Sequence, residues 1–219
     1  NCFTRWLLAV TLTLASCAAC AAWAGEPLRL ADDRASIDLW PAVTVLSDPE
    51  HALDERSVLT RLADFRPPQS PHANLGVRRD TVWLRVLLTV PASERGRWIL
   101  DIDYASLDRI DVFVVSDGVP TQHHRLGDEL PFAERPLPTH SHAVALAFEP
   151  GTELELLLRV RTTSSMIVPL QLVAGVPFHA RQSQVQMVQG VIAGIGLCLL
   201  GYSLVHAVML RSAMFAWYG

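Results

Sequence analysis

TVWLRVLLTV, Thr81 to Val90, carries two alternating sets of side chains. Val82, Leu84, Val86, Leu88 and Val90 fall on one side of an extended chain, and Trp83, Arg85, Leu87 and Thr89 on the other. Successive side chains of a strand point to opposite faces, so this period of two predicts a strand with one wholly apolar face. A helix would need apolar residues at intervals of three and four instead.

The same alternation recurs in Arg97 to Asp103, Leu107 to Val115, His142 to Glu149, Glu153 to Arg161 and Met166 to Ala174. Turn-forming residues separate these runs: Pro91-Ala92-Ser93, Asp117-Gly118, Pro136 to Pro138, Pro150-Gly151 and Thr162 to Ser165. Short strands at near-regular spacing, with no long helix between them, predict an all-β antiparallel domain, a jelly roll or β-sandwich. Upstream, Leu39-Trp40-Pro41 and Val43 to Leu46 suggest a strand, Pro49 to Leu62 has helical spacing, and Pro67 to Gly76 has the composition of a loop.

The ends differ from the middle. Arg5, the apolar run Trp6 to Ala15 and Ala22-Trp23-Ala24 have the order of a secretory signal peptide, predicted over residues 1–24. Leu14-Ala15-Ser16-Cys17 also resembles a lipobox, which leaves lipidation of Cys17 as an alternative to cleavage after Ala24. Between Arg181 and Arg211 there is no charged residue, and Gly190 to Leu210 would form a helix of about 32 Å, matching a hydrocarbon core of about 30 Å. The spacing predicts a transmembrane helix over 188–210, and the leading segment makes the β-sandwich over 25–180 an exported, periplasmic domain. Residues 211–219 are expected to form a cytoplasmic turn. Phe215, Trp217 and Tyr218 suit a membrane interface, so the sequence is expected to continue into a further helix.

Composition excludes several functions. Asp and Glu number 22 against 18 basic residues, all of them Arg, for a formal net charge of −4. An acidic chain is a poor partner for nucleic acid, and the absence of Lys rules out a Schiff-base or P-loop lysine. The four cysteines, Cys2, Cys17, Cys20 and Cys198, all lie in the terminal apolar segments. The central domain therefore has neither a disulfide framework nor a thiolate metal site. No catalytic constellation emerges, no cofactor is expected, and the chain as given is not expected to be an enzyme. Asp101 and Asp103 share a strand face, as solvated acids often do. His140 and His142 are two apart and, with His123-His124 in an expected loop, could approach a metal ion, although no carboxylate stands at ligand spacing. If the wholly apolar strand sides make the core, the opposite sides expose Trp83, Arg85, Arg109, Asp111, Phe113, Arg159 and Arg161. Aromatic and Arg side chains on a sheet face suit a sugar or a carboxylate; the plainer alternative puts Trp83 in the core and pairs the arginines with acids.

The motifs also occur in a telling order: N-L-G (Asn74 to Gly76) before V-W-L-R (Val82 to Arg85), then Y-A-S-L-D-R-I-D-V-F (Tyr104 to Phe113) and P-F-A-E-R-P (Pro131 to Pro136). L-L-L-R-V-R-T-T-S-S (Leu156 to Ser165), Pro169-Leu170, the Gly-containing apolar run and R-S-A-M-F-A-W-Y (Arg211 to Tyr218) complete the set. From about Asp38 onward this resembles the bacterial receptors with seven transmembrane helices and diverse intracellular signalling modules, in particular their type-two extracellular domain. The resemblance implies a jelly-roll sensor, related in shape to carbohydrate-binding modules, whose ligand occupancy passes through membrane helices to a diguanylate cyclase or histidine kinase. Trp83 and Arg85 match the family's W-x-R strand, Asp108 its L-D turn, Arg135 the Arg after P-F, and Arg159 the penultimate strand. The expected ligand contacts are Trp83, Arg85, Asp111, Arg135 and Arg159. The expected partners are a small molecule or glycan in the periplasm, the bacterial inner membrane and a second copy of the chain. The competing function is a membrane-anchored carbohydrate-binding or glycan-processing module.

Overall fold

The computed structural model describes residues 27–30, 35–70, 72–93 and 97–210. The expected signal segment, with Cys17, and the turn after Leu210 lie outside these residues. Two units follow one another: a β-unit that ends at Ala174 and a helical unit that begins at Gly175.

The strands are β1 (Leu28–Arg29), β2 (Ser36–Asp38), β3 (Thr44–Asp48), β4 (Asn74–Val77), β5 (Thr81–Thr89) and β6 (Trp98–Ile102). They continue with β7 (Arg109–Ser116), β8 (Val119–Leu126), β9 (His142–Leu146), β10 (Glu153–Arg161), β11 (Ser165–Ile167) and β12 (Leu170–Ala174). A six-stranded sheet runs β1-β5-β10-β7-β8, with β3 also paired to β5; a four-stranded sheet runs β2-β12-β6-β9. Strands β11 and β4 form a separate pair.

The quoted stretch becomes β5 and behaves as its alternation dictates. Val82, Leu84, Val86 and Leu88 join Ile110, Val112 and Val114 of β7 and Leu154, Leu156, Leu158 and Val160 of β10 in one buried cluster. Trp98, Leu100 and Ile102 of β6, Val144 and Leu146 of β9, and Leu170 and Leu172 of β12 supply the facing side of the same cluster. The two sheets thus share one core, the arrangement of a β-sandwich.

A second apolar cluster lies on the other face of the six-stranded sheet. Trp83, Phe113, Val115, Leu157 and Leu46 pack there with Val58 and Phe65, and Leu53, Leu59 and Leu62 close over them. These last five come from the stretch between β3 and β4, which contains α1 (Glu55–Leu59) and a 3-10 turn (Leu62–Asp64). Helix α1 is much shorter than the expected helical stretch. Asp54 caps it by accepting from the Ser57 amide at 2.8 Å, and the Ser57 hydroxyl accepts from the Asp54 amide at 2.9 Å. That reciprocal cap offsets the poor intrinsic stability of so short a helix.

Other expectations are corrected for identifiable reasons. Trp40-Pro41 forms a 3-10 turn (Trp40–Ala42) instead of a strand, since Pro has no amide to donate to a ladder. The run Met166 to Ala174 divides at Pro169 into β11 and β12. His123 and His124 lie within edge strand β8, opposite Phe113 and Val112 respectively, and not in a loop. Asn74 to Gly76, expected as loop, pairs with β11. Asp101 is buried in β6, whereas Asp103 is exposed beyond its end, so the two acids do not form a solvated pair.

Helix α2 (Gly175–Leu210) has 36 residues and extends N-terminal to the segment 188–210 expected to cross a membrane. Pro177 sits in its first turn, where a missing amide costs nothing, and the Gln-rich stretch that follows favours helix. Within it, Met187–His206 is apolar enough to cross a membrane, with mean hydropathy 1.9 and no buried share.

The turn between β8 and β9 fixes the start of β7. Gly127 has φ of 127°, and a Cβ there would meet the Asp108 carbonyl oxygen and the Arg109 backbone far inside van der Waals contact. The Asp108 carboxylate accepts from the Thr163 amide and hydroxyl, both at 2.8 Å, tying this corner to the end of β10. Gly127→Ala is expected to destabilise the chain by at least about 2 kcal/mol, read as a lower urea midpoint at unchanged m-value. Wild-type stability in this variant would contradict the packing described.

Candidate functional site

Strand register assembles the outer face of the six-stranded sheet row by row. One cross-strand row reads Leu46, Trp83, Arg159, Asp111 and Arg125 across β3, β5, β10, β7 and β8. Two residues further along, Asp48 lies opposite Thr81, and Arg161 opposite Arg109. On the other side of the first row, Arg85 pairs with Leu157, which pairs with Phe113, which pairs with His123.

A cleft of about 80 Å³ opens where the first two rows meet the chain after β3. Asp48, His51, Leu53, Thr81, Arg109, Asp111, Arg159 and Arg161 line it. At its floor Asp111 is only 2% exposed. The Asp111 Oδ1 accepts from His123 Nε2 at 3.1 Å. Its Oδ2 lies 3.0 Å from Arg159 Nη2 and 3.4 Å from Arg109 Nε. Both of these are ion pairs by distance, but their angles miss hydrogen-bond geometry, so Oδ2 and Arg109 Nε are buried without a hydrogen bond. The side chains of Arg109 and Arg159 remain 43% and 30% exposed, respectively.

Aromatic rings support this cluster from below. The Arg159 guanidinium carbon sits 5.8 Å from the Trp83 ring centroid, within cation–π range. Trp83 stacks on Phe113 at 6.0 Å, and Phe113 on His123 at 4.4 Å and 7°. The polar wall is equally constrained. Asp48 is buried, and its two carboxylate oxygens accept from the Ala52 and Leu53 amides at 3.2 and 3.0 Å. These bonds shape a tight turn in which His51 takes φ of 55°, a conformation uncommon outside glycine. There His51 Nδ1 and Thr81 Oγ1 share a hydrogen bond of 2.7 Å.

The sequence-predicted residues divide accordingly. Trp83, Asp111 and Arg159 come together. Trp83 and Phe113 are buried because the chain between β3 and β4 covers them, which for Trp83 is the plainer of the two alternatives. Arg85 lies on the same face outside the cleft and pairs with Glu155 at 2.7 Å. Arg135 follows a 3-10 turn (Phe132–Glu134), with its guanidinium 5.5 Å from the Phe132 ring centroid, and does not line the cleft. Asp48 and His51 were missed; the Asp-Pro step at Asp48-Pro49 is the sequence signal for their turn. His140 is exposed while His142 is buried, with its Nε2 donating to the Ala105 carbonyl at 3.2 Å, so the two do not converge. Among the described residues no three His, Cys, Asp or Glu side chains are grouped to hold a metal ion.

Two facing sheets, a recessed cluster of charged side chains and an apolar helix long enough to cross a membrane define a β-sandwich module followed by a candidate membrane span. The 7TMR-DISM extracellular 2 family matches residues 41–174, and the chain belongs to that family, the extracellular sensor domains of membrane receptors. No curated protein matches in sequence. Among solved structures, the β-glucuronidase of Ruminococcus gnavus is similar at 12% identity and a TM-score of 0.41, over 68% of this chain and 30% of that one. The same enzyme in complex with uronic isofagomine gives 11% identity and a TM-score of 0.42, over 68% and 29%. The likeness is distant, and the chain spans less than a third of that enzyme's length.

Burial of Trp83 makes its first role structural. Trp83→Ala is expected to cost about 3–5 kcal/mol, measured by urea denaturation followed by far-UV circular dichroism; a loss below about 1 kcal/mol would remove Trp83 from the core. His142 gives a second test. Burial lowers its pKa from the usual 6.5, with the nearby Arg135 adding to the effect and the Ala105 hydrogen bond opposing it. The unfolded chain therefore takes up this proton first, and stability falls as pH drops below about 6.5. His124, also lowered by burial, acts in the same direction. Asp80 titrates in a separate, more acidic window, because the Arg78 guanidinium holds its carboxyl down to about 2. His142→Gln is expected to flatten, without abolishing, the decline in melting temperature between about pH 6.5 and 5. An unchanged slope would show that His142 does not contribute.

Proposed function

We propose that the chain is the input end of a bacterial membrane receptor, and that a small-molecule or glycan ligand occupies the cleft on the outer face of the six-stranded sheet. In this reading the segment 1–24 exports the β-unit to the periplasm and α2 is the first span in the inner membrane. Occupancy passes through the membrane helices, in a homodimer, to a cytoplasmic diguanylate cyclase or histidine kinase. The observation that carries the reading is the buried Asp111 and the arginines held around it, a rigid polar recess within a sensor domain. Family membership and the apolar span of α2 support it.

A ligand shifts a receptor's equilibrium only by its difference in affinity between two states. A pre-positioned cluster suits that task, since little ordering remains to be done on binding. The glycan-processing alternative needs a carboxyl group free to exchange protons. Both carboxylates of the cleft are already engaged, Asp48 by backbone amides and Asp111 by His123 and two arginines.

The test is a thermal-shift screen of the full chain, in a detergent without a sugar head group, against neutral sugars and organic acids. At least one compound is expected to raise the melting temperature, and Arg159→Ala is expected to abolish that rise while the circular dichroism spectrum stays unchanged. No response to any compound, or a response that survives Arg159→Ala, would overturn the assignment of ligand sensing to this cleft.

A further inference from the structure

We infer that the group recognised in this cleft is an oxyanion, a carboxylate or phosphate on a small molecule, held by Arg109, Arg159 and Arg161 with Asp111 as a positioning residue. The inference rests on the sensing role proposed for the cleft and adds the chemistry of the ligand.

The first argument is charge. Three guanidinium groups line the recess against two carboxylates, so the cleft is locally positive in a chain of net charge −4. Arg161 and Arg109 stand directly opposite each other on β10 and β7. Like charges in that relation disfavour a sheet, and Arg161 is only partly compensated: among the described residues it makes no ion pair, and it feels the Asp108 carboxylate from further off. An anion placed between them turns the repulsion into two attractions.

The second argument is hydrogen-bond capacity. Asp48 accepts from two backbone amides, Asp111 accepts from His123 through Oδ1, and its Oδ2 is buried beside Arg159 and Arg109, out of a ligand's reach. What remains for a ligand is mainly donors, because a guanidinium carries five N–H groups and no acceptor. A neutral sugar needs acceptors for its hydroxyl protons, whereas an oxyanion needs only donors. Asp111 holds Arg159 and Arg109 beside one buried oxygen, Oδ2, to which neither makes a well-angled hydrogen bond. Their remaining N–H groups are thereby kept available for bidentate contact with a second set of oxygens.

Size agrees with this chemistry. The cleft of about 80 Å³ is well below the roughly 300–1,000 Å³ of pockets that engulf a drug-sized ligand. It admits an anionic head group while the rest of the ligand lies outside.

Isothermal titration of the full chain in detergent, at matched ionic strength, tests the inference with succinate, inorganic phosphate and glucose as probes. Succinate or phosphate is expected to bind, and whichever binds more tightly identifies the head group. Arg161→Ala is expected to weaken that binding at least tenfold, and Arg161→Lys, which keeps the charge but loses the fork, by less. Without any anion, Arg161→Ala is expected to change the melting temperature little, because the repulsion from Arg109 and the attraction to Asp108 are lost together; this control also establishes that the variant folds. Arg85→Ala, outside the cleft, is expected to leave anion binding unchanged. Anion binding that survives both Arg161→Ala and Arg109→Ala would overturn the inference. Glucose binding lost in Arg159→Ala, with no anion binding, would overturn the inference and leave the sensing role standing. Silence from all three probes would overturn the inference, and silence across the wider screen would overturn the sensing role as well.

Discussion

A carboxylate at 2% exposure is costly unless charges and hydrogen-bond donors surround it, and Asp111 imposes that condition on the whole outer face of the six-stranded sheet. Its partners come from three strands: Arg109 from its own, Arg159 from β10 and His123 from β8. Each partner must hold its register for the cluster to exist. Register is strongly specified here because a slip of one residue on β10 would send Arg159 toward the core and Leu158 outward. Strand β10 pairs with β5 on one side and β7 on the other over nearly its full length, so the sandwich core and the ion cluster constrain the same strand in the same sense.

The second apolar cluster gives the site its depth. A sheet that faced water on one side would leave Arg159 and Asp111 on an open surface, where ion pairs contribute little. The chain between β3 and β4 instead packs Val58, Phe65, Leu59 and Leu62 onto Trp83, Phe113 and Leu157. The same stretch begins with the Asp48 turn that carries His51 to the cleft wall. One connection therefore both completes a core and builds one side of a recess.

How much of this could be read from residues alone follows from the range of each interaction. The alternation of Val82 to Leu88 and of Leu154 to Val160 is local, and it gave the strands and the inner face directly. The uncharged run ending in α2 was legible for the same reason, although the helix extends further toward its N-terminus because Gln and Val residues continue it beyond the apolar stretch. The covering of the outer face was not legible. A helix of five residues is too short to show a period, so alternation alone leaves Trp83 open between core and surface and puts Phe113 on the outer face, whereas both are buried. Asp111 and Arg159 were found because alternation placed them on the outer face. Asp48 and His51 were not, since only the pairing of β3 with β5 brings them there. Arg135 was carried over from the motif order alone, and the turn after Phe132 places it outside the cleft.

Strand β8 ends one side of the six-stranded sheet, and an exposed strand edge is an open template for another chain. This edge is interrupted at intervals. Pro120 has no amide to offer, the pairing with β7 shifts between Val114 and Val115, and the Gln122 side chain donates to the Ala147 carbonyl at 2.6 Å. Thr121, His123 and Arg125 are exposed along it. A second chain meeting this edge would find no unbroken row of backbone donors and acceptors, so strand-to-strand pairing along β8 is disfavoured.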